Sequence, residues 1–420
     1  MKVLVITYYW PPAGGSGVQR WLKFVKYLRE FGVEPIIYTV DQANYPILDE
    51  SLHHEIPENL EVLKQPIWEP NKFFNKSSKK TSAGFLDANP SFLGRIAHYI
   101  RANYFIPDAR KFWINPSIKY LLKYLQEHPV DVLITTGPPH SLHLIGLGLK
   151  KKLNIKWMAD FRDPWTQIDY FHQLPLTKRS VTKHHELEQK VLTNADAVVV
   201  VGKTMAAHYK NFTNKIHVIT NGFDSAELND SVHLDQKFSL VHVGMMNTDR
   251  NHEILWQALK ELTSENESFA SDLHLKFIGK VSAKVLQSVQ NYHLERYTEF
   301  IDYLEHHLVT KHQQSAQILL LSVNNVPSAK GIITGKIFEY LHAKRPILAL
   351  APKDGDLSEI LKSTNAGVTI DFNDKEKLKA QLLDFYTRFK SQSLHSESTN
   401  IEQYHRKNLT KELVEILKEL

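Results

Sequence analysis

The sequence has no cysteine among its 420 residues. That excludes a disulfide framework, a zinc–thiolate centre and a cysteine nucleophile, and it suits a reducing compartment. Long apolar runs are missing too. None approaches roughly eighteen residues, so no membrane-spanning helix is expected. The opening residues 1–10 read as a strand followed by aromatics and prolines, too short and too early for a cleavable signal peptide. Charge of one sign is scarce, with 51 Lys and Arg against 46 Asp and Glu, a net of +5. That balance permits attraction to an anionic lipid or nucleotide but demands no nucleic-acid partner. Several chemical motifs are lacking as well. Gly15-Ser16-Gly17 misses the first glycine of a hydrolase elbow. Gly335-Lys336-Ile337 and Gly202-Lys203-Thr204 miss the upstream glycine of a phosphate loop. The 22 histidines include the adjacent pairs His53-His54, His184-His185 and His306-His307, which do not share a helix face, and there is no His-Glu-x-x-His. No dedicated metal site is expected.

What is there is ordinary for a folded protein: 42% hydrophobic and 23% charged residues. The length exceeds what one core usually serves, so two domains are expected. Residues 2–7 form a buried-strand pattern. Pro11, Pro12, Gly14, Gly15 and Gly17 make a tight loop, and Val18, Trp21, Leu22, Val25 and Leu28 recur at helical spacing before a strand at 34–40. This strand–glycine loop–helix–strand unit opens a doubly wound α/β domain, although it lacks the spaced three-glycine dinucleotide fingerprint. Gly14 and Gly15 either let a backbone approach a phosphate or simply permit the turn.

Further along, residues 131–136 are a buried strand that delivers His140 to the start of a helix, where open α/β sheets place ligands. Another strand ends at Asp160, followed by Phe161-Arg162-Asp163-Pro164-Trp165. An Arg–Asp pair there can hold a polar substrate or fix the loop as a buried ion pair. Residues 92–106 mix Arg95 and Arg101 with an apolar stripe of Leu93, Ile96, Tyr99 and Ile100. That stretch can rest on a membrane surface or receive a lipid-linked acceptor, or pack on its own domain. Residues 71–89 are polar and lysine-rich, with Lys72, Lys76, Lys79 and Lys80. The acidic, polar residues 225–236 read as a linker. A second strand–loop–helix series follows from Phe238, so the repetition is at domain scale.

The stretch 331–350 carries most of the chemistry. A loop bracketed by Gly331 and Gly335 leads into a short helix and then a buried strand at 347–350, with Pro346 as the expected helix stop. Lys336 and Glu339 are three apart and share a face, while Ile337 and Leu341 can face a core. A helix starting at a glycine loop points free N–H groups and a positive dipole end at whatever precedes it. Nucleotide-sugar transfer makes matching demands: positive charge for a leaving diphosphate, acceptors for ribose and sugar, and a route for the acceptor hydroxyl's proton. Arg250, Lys336 and the glycine loops answer the first, Glu339 the second, and His140 or Asp163 the third.

Taken together, Pro11-Pro12-Ala13-Gly14-Gly15, the run from Asp160 to Trp165, Ile219 to Asp224, His242-Val243-Gly244 with Arg250 downstream, and Gly335-Lys336-Ile337-Phe338-Glu339-Tyr340 resemble a bacterial glycosyltransferase of family 4. The resemblance covers essentially the whole chain. It implies the GT-B fold, an α/β arrangement of two doubly wound Rossmann-like domains facing across a cleft. Residues 1–225, joined by a C-terminal helix at 400–420, would form the acceptor-side domain, and 237–395 the nucleotide-sugar domain. It also implies a retaining, metal-independent transfer, with no cofactor beyond the donor. Gly14, Gly15, Gly244, Arg250, Gly335, Lys336 and Glu339 would bind substrate, Glu339 holding the donor ribose, and His140, Asp163, Arg250 and Lys336 would serve catalysis. The expected partners are a nucleotide-sugar donor and a glycan or lipid-linked acceptor, with cytoplasmic residence and peripheral contact with the inner membrane.

Three departures from the family pattern stand out. The first of its two paired glutamates would fall at Gly331. The arginine after the second-domain glycine is Met245. The sequence context of His140 differs from that of the family histidine. A subgroup with Gly-Lys-x-Phe-Glu-Tyr uses its lysine instead, which puts the diphosphate clamp on Lys336 and Arg250. Alternatives are a sugar-nucleotide epimerase of the same architecture and a degenerate, non-catalytic glycan-binding member.

Overall fold

The structure is a computed structural model that describes residues 1–43, 45–68, 92–224, 232–302, 304 and 306–420. The lysine-rich run at 71–89 and the linker residues up to 231 lie outside the described residues. The chain divides into two units, Met1–Thr220 with Arg406–Leu420, and Asn221–His405.

Seven parallel strands make the sheet of the first unit: β1 Lys2–Ile6, β2 Glu34–Asp41, β3 Glu61–Pro66, β4 Val132–Gly137, β5 Lys156–Phe161, β6 Ala197–Val200 and β7 Ile216–Val218. Their order is β3-β2-β1-β4-β5-β6-β7. The second unit has six, β8 Phe238–Val243, β9 Leu273–Ile278, β10 Thr298–Ile301, β11 Ile318–Ser322, β12 Ile347–Leu350 and β13 Gly367–Ile370, in the order β10-β9-β8-β11-β12-β13. The two doubly wound α/β sheets expected from the sequence are both present. The strand order reverses between β1 and β4 and between β8 and β11. In sheets of this kind such a reversal parts the following loops and leaves a crevice at the strands' carboxyl ends.

The central strands are continuous apolar runs because helices cover both faces. β4 and β8 are buried along their whole length, and β5 except at Lys156. Each unit has two apolar clusters, one per sheet face. The helix Ser16–Leu28 buries Val18, Trp21, Leu22, Val25 and Leu28, as its spacing predicts. Against it packs the helix Arg406–Glu419 through Leu409, Leu413, Val414 and Leu417, so the end of the chain completes the first unit. The elements that the sequence did not mark include β3 and the helix Ile114–Glu127. β3 lies at the sheet edge and is only partly buried, so it shows no apolar run. The helix Ile114–Glu127 carries Asn115 and Pro116 in its first turn, which reads locally as a turn although proline is tolerated there.

One buried ion pair ties the first unit together. Arg20, 2% exposed, meets Asp160, 1% exposed, through Nη2 to Oδ1 at 2.9 Å. Trp21 Nε1 and Thr136 Oγ1 donate to Oδ2 at 2.7 and 2.8 Å. Arg20 also donates to the carbonyls of Ile219 and Thr220. Burial pushes the Asp160 carboxyl up, but Arg20 and these donors outweigh it and hold the group below the usual range. Replacing Asp160 by Ala would leave a guanidinium buried without its counter-charge, so stability should fall by about 3–5 kcal/mol. An unchanged denaturant midpoint would contradict that.

Candidate functional site

In the second unit the site is assembled at the reversal between β8 and β11. After β8 the chain turns at Gly244, whose φ of 92° lies in the left-handed region. A Cβ there would stand 2.7 Å from Lys336 Cε and 2.9 Å from Nζ. Glycine at 244 therefore gives the lysine its place. Lys336 begins the helix Lys336–Ala343, directly after Gly335. Gly335 is exposed, and a Cβ on it would meet nothing within 4 Å, so packing does not require glycine there. Ile337 and Leu341 are buried as their spacing predicts. The helix ends at Lys344 in the left-handed conformation rather than at Pro346.

Three groups surround the Lys336 amine. His242 Nε2 lies 3.4 Å from Nζ. Arg250 adds like charge and Glu339 opposite charge. Burial first, then Arg250, lowers the lysine pKa to about 7, with Glu339 opposing. Arg250 is oriented across the strand reversal. Its Nε donates to Asn324 Oδ1 at 2.8 Å, and Nη1 to the Met245 carbonyl at 2.9 Å. The loops after β8 and β11 are laced further by Ser322 Oγ to the Arg250 carbonyl and by Asn325 N to the Asp249 carbonyl, both 2.8 Å. Glu339 is half-buried, and its Oε2 accepts from Gln313 at 2.9 Å. Thr334 Oγ1 and Ser282 Oγ are buried without a partner among the described residues. The structure thus brings Gly244, Arg250, Gly335, Lys336 and Glu339 together. Asn324 and Gln313, which orient the charged side chains, had no sequence signal. His242 stood in the sequence only as part of a matching run.

In the first unit, the loops after β1, β4 and β5 meet at Arg162. Its Nη1 donates to the Gly17 carbonyl, its Nη2 to that of Pro138, and its Nε to that of Gly137 at 3.4 Å. The guanidinium knits backbone together and makes no ion pair with Asp163. The buried pair of this region is Arg20 with Asp160 instead. Asp163 is exposed, and no described residue hydrogen-bonds its carboxylate. Partial desolvation raises its pKa, Arg162 opposes that, and Asp169 adds to it. His140 stacks on Trp165 at 4.7 Å and 3°, and its Nδ1 is buried without a partner. Burial, with His143 adding, holds it well below the ordinary imidazole range. It is a neutral hydrogen-bonding group rather than a proton store at neutral pH. Gly14 donates to the Ile47 carbonyl at 2.9 Å, and a Cβ on it would meet Ile47 Cγ2 at 2.9 Å. Close packing accounts for glycine at 14. Gly15 is exposed, immediately before the helix Ser16–Leu28.

Among the described residues no group of three or more His, Cys, Asp or Glu could hold a metal ion, and no helix is long and apolar enough to cross a membrane. The sequence profile of Glycosyltransferase Family 4 matches residues 16–227, and that of Glycosyl transferases group 1 matches residues 237–388. The chain belongs to glycosyltransferase family 4. No curated protein sequence matches it. Solved structures with the same fold include the sucrose-phosphate synthase of Thermosynechococcus elongatus, at TM-score 0.57 and 15% identity, covering 100% of this chain and 94% of that one. The lipopolysaccharide outer core galactosyltransferase WaaB gives 0.60 and 11%, with 100% and 99% covered. The UDP-GlcNAc 2-epimerase of Methanocaldococcus jannaschii gives 0.54 and 12%, with 100% of both chains covered. At these identities the likeness is one of fold. As a member of family 4, the chain carries a GT-B fold of two Rossmann-like domains.

A lysine with a pKa of about 7 would make the binding of any anion beside it depend on pH. The charged amine attracts a dianion. His242 is held neutral by burial and by Lys336. Lys336 is charged below its pKa, so affinity for a nucleotide-sugar, whose diphosphate does not titrate near neutrality, should be level below about pH 6 and weaken as pH rises through about 7. Titration calorimetry across this window checks it, and a pH-independent affinity would contradict it.

Proposed function

We propose that this family 4 member is a retaining, metal-independent glycosyltransferase that moves a sugar from a nucleotide-diphosphate donor to a glycan or lipid-linked acceptor. The observation that carries this reading is the pair of cations, Arg250 and Lys336, gathered at the strand reversal beside the open N-terminus of the helix Lys336–Ala343. In this reading they and the N–H groups of Gly335 and Lys336 take the donor diphosphate. Glu339, set one turn on and steadied by Gln313, takes the ribose hydroxyls. Chemically, the bond from the sugar's anomeric carbon to the phosphate oxygen breaks with its electrons going to the diphosphate. The acceptor oxygen forms the new bond on the same face, and its proton passes to the departing diphosphate. No protein nucleophile is required. His140 and Asp163 are proposed to hold sugar and acceptor hydroxyls, with Gly14 and Gly15 shaping the same wall of the first unit.

The acceptor class rests on a different face. On the helix Phe92–Tyr104, Ile96, Tyr99, Ile100 and Tyr104 are 41, 45, 45 and 65% exposed, with Arg95 and Arg101 also exposed. Beside it, a cavity of about 590 Å³ is lined by Asn103, Ile106, Arg179, Ser180, Lys183 and Glu186. Apolar and aromatic side chains among cations suit the interfacial zone of an anionic bilayer, which in this reading brings the chain to the cytoplasmic face of the inner membrane.

Substitution, chelation, product stereochemistry and vesicle binding test the proposal. Lys336→Ala should fold normally and lose turnover by a factor on the order of 100 or more, while EDTA leaves the wild type active and the product keeps the donor's anomeric configuration. Wild-type turnover in that variant would contradict the clamp, and an isomerised nucleotide sugar formed without acceptor would point to epimerisation. Tyr99→Glu with Ile100→Glu should abolish co-sedimentation with phosphatidylglycerol vesicles, and unchanged sedimentation would remove the membrane role.

A further inference from the structure

The hydrogen-bond partners of Arg250 and Lys336 include neutral acceptors, with the Glu339 carboxylate also near the lysine. Arg250 has Asn324 and a backbone carbonyl, and Lys336 has the imidazole of His242. Carboxylates would orient them more strongly but would cancel the charge that a diphosphate needs. The imidazole is especially well placed. His242 sits on β8 with 0% exposure, two residues before Gly244. Its Nδ1 lies 3.1 Å from the Leu320 carbonyl, which can only accept. Nδ1 therefore carries the proton and Nε2 presents a lone pair. That lone pair faces Nζ at 3.4 Å. Tyr340, four residues after Lys336 and so on the same helix face, shares the Leu320 carbonyl at 3.4 Å and accepts from Val243 N at 3.0 Å. The helix is thus registered against the end of β8 at two points, one through Tyr340 and one through Lys336.

We propose that His242 is a positioning residue for the donor diphosphate, its Nε2 holding Lys336 Nζ folded across Gly244 without neutralising it. This rests on the reading of Lys336 as a diphosphate ligand. The imidazole acts through the lysine and need not touch the donor. A carboxylate in its place would pair with the amine and compete with the phosphates. An apolar residue would leave the lysine's four-carbon stem to wander, and the phosphates would have to order it on binding.

Replacements of His242 separate this role from simple core packing. In His242→Asn the amide stands near the Nδ1 position, keeps the bond to Leu320 and offers nothing at Nε2. In His242→Gln the side chain is longer, and its carbonyl reaches toward Nζ. Binding of inorganic pyrophosphate to the full chain is measured by calorimetry, with thermal unfolding as a check on folding. Positioning predicts that the Asn variant binds on the order of tenfold more weakly, one charge-assisted hydrogen bond, while the Gln variant stays within about threefold of wild type. A packing role predicts that His242→Met, apolar and of similar length, binds like wild type, whereas positioning predicts that it loses as much as the Asn variant; wild-type binding by His242→Met would overturn the proposal. If the Asn variant does not fold, His242→Met replaces it with the same expected loss. Lys336→Ala serves as reference. If it binds pyrophosphate like wild type, or the wild type binds none, the donor-site reading itself fails. If Lys336→Ala loses binding and His242→Asn keeps it, only the positioning role fails.

Discussion

The second unit depends on one close approach, the side chain of Lys336 laid over the backbone of Gly244. Any Cβ at 244 would occupy the lysine's space, and the φ of 92° is one that residues with side chains rarely adopt. The turn, the lysine and the helix start are therefore a single arrangement. It places a positive charge where two loops part, beside N–H groups at a helix end. The amine is buried enough that burial and Arg250 bring its pKa to about 7. A charge held in that state is strengthened by the arrival of an anion, because the ligand replaces the water that the amine lost.

The first unit solves a different problem. Its loops after β1, β4 and β5 carry few side-chain charges toward one another, and Arg162 is spent on backbone carbonyls. Beneath it, Glu188 accepts from Thr166 N and Oγ1 and from Tyr209 Oη, fixing the segment that bears Trp165. Trp165 in turn supports the His140 ring and donates to His184 Nδ1 at 3.0 Å. The result is a set of well-fixed hydrogen-bonding groups, with the Arg162 guanidinium turned to backbone, Glu188 buried behind and the Asp163 carboxylate exposed. Such a set suits hydroxyl-rich ligands, as the cationic second unit suits phosphate.

Much of this was legible in the sequence. Buried parallel strands announce themselves as apolar runs, and the loop–helix–strand pattern at 331–350 is set by Gly335, the Ile337/Leu341 spacing and Ile347–Leu350. Lys336, Arg250 and Glu339 were visible because charge beside glycine loops is conspicuous. The orienting residues were not. Asn324 and Gln313 are unremarkable amides whose roles arise from partners 74 and 26 residues away. The run from Asp160 to Trp165 suggests a local Arg–Asp pair, whereas Asp160 bonds an arginine 140 residues distant and Arg162 bonds carbonyls. Adjacency in sequence is a poor guide to pairing at a strand end, where successive side chains point to opposite faces. The edge strand β3 escaped notice because a half-exposed strand has no reason to be uniformly apolar.

The central claim is that Arg250 and Lys336 bind the donor's diphosphate at the β8–β11 reversal. A crystal structure of the chain with a bound nucleoside diphosphate tests it most directly. The account predicts phosphate oxygens within hydrogen-bond distance of the Arg250 guanidinium, the Lys336 amine and the N–H groups at Gly335 and Lys336, with His242 still behind the lysine. Phosphates bound elsewhere, with both cations left to their present partners, would contradict it.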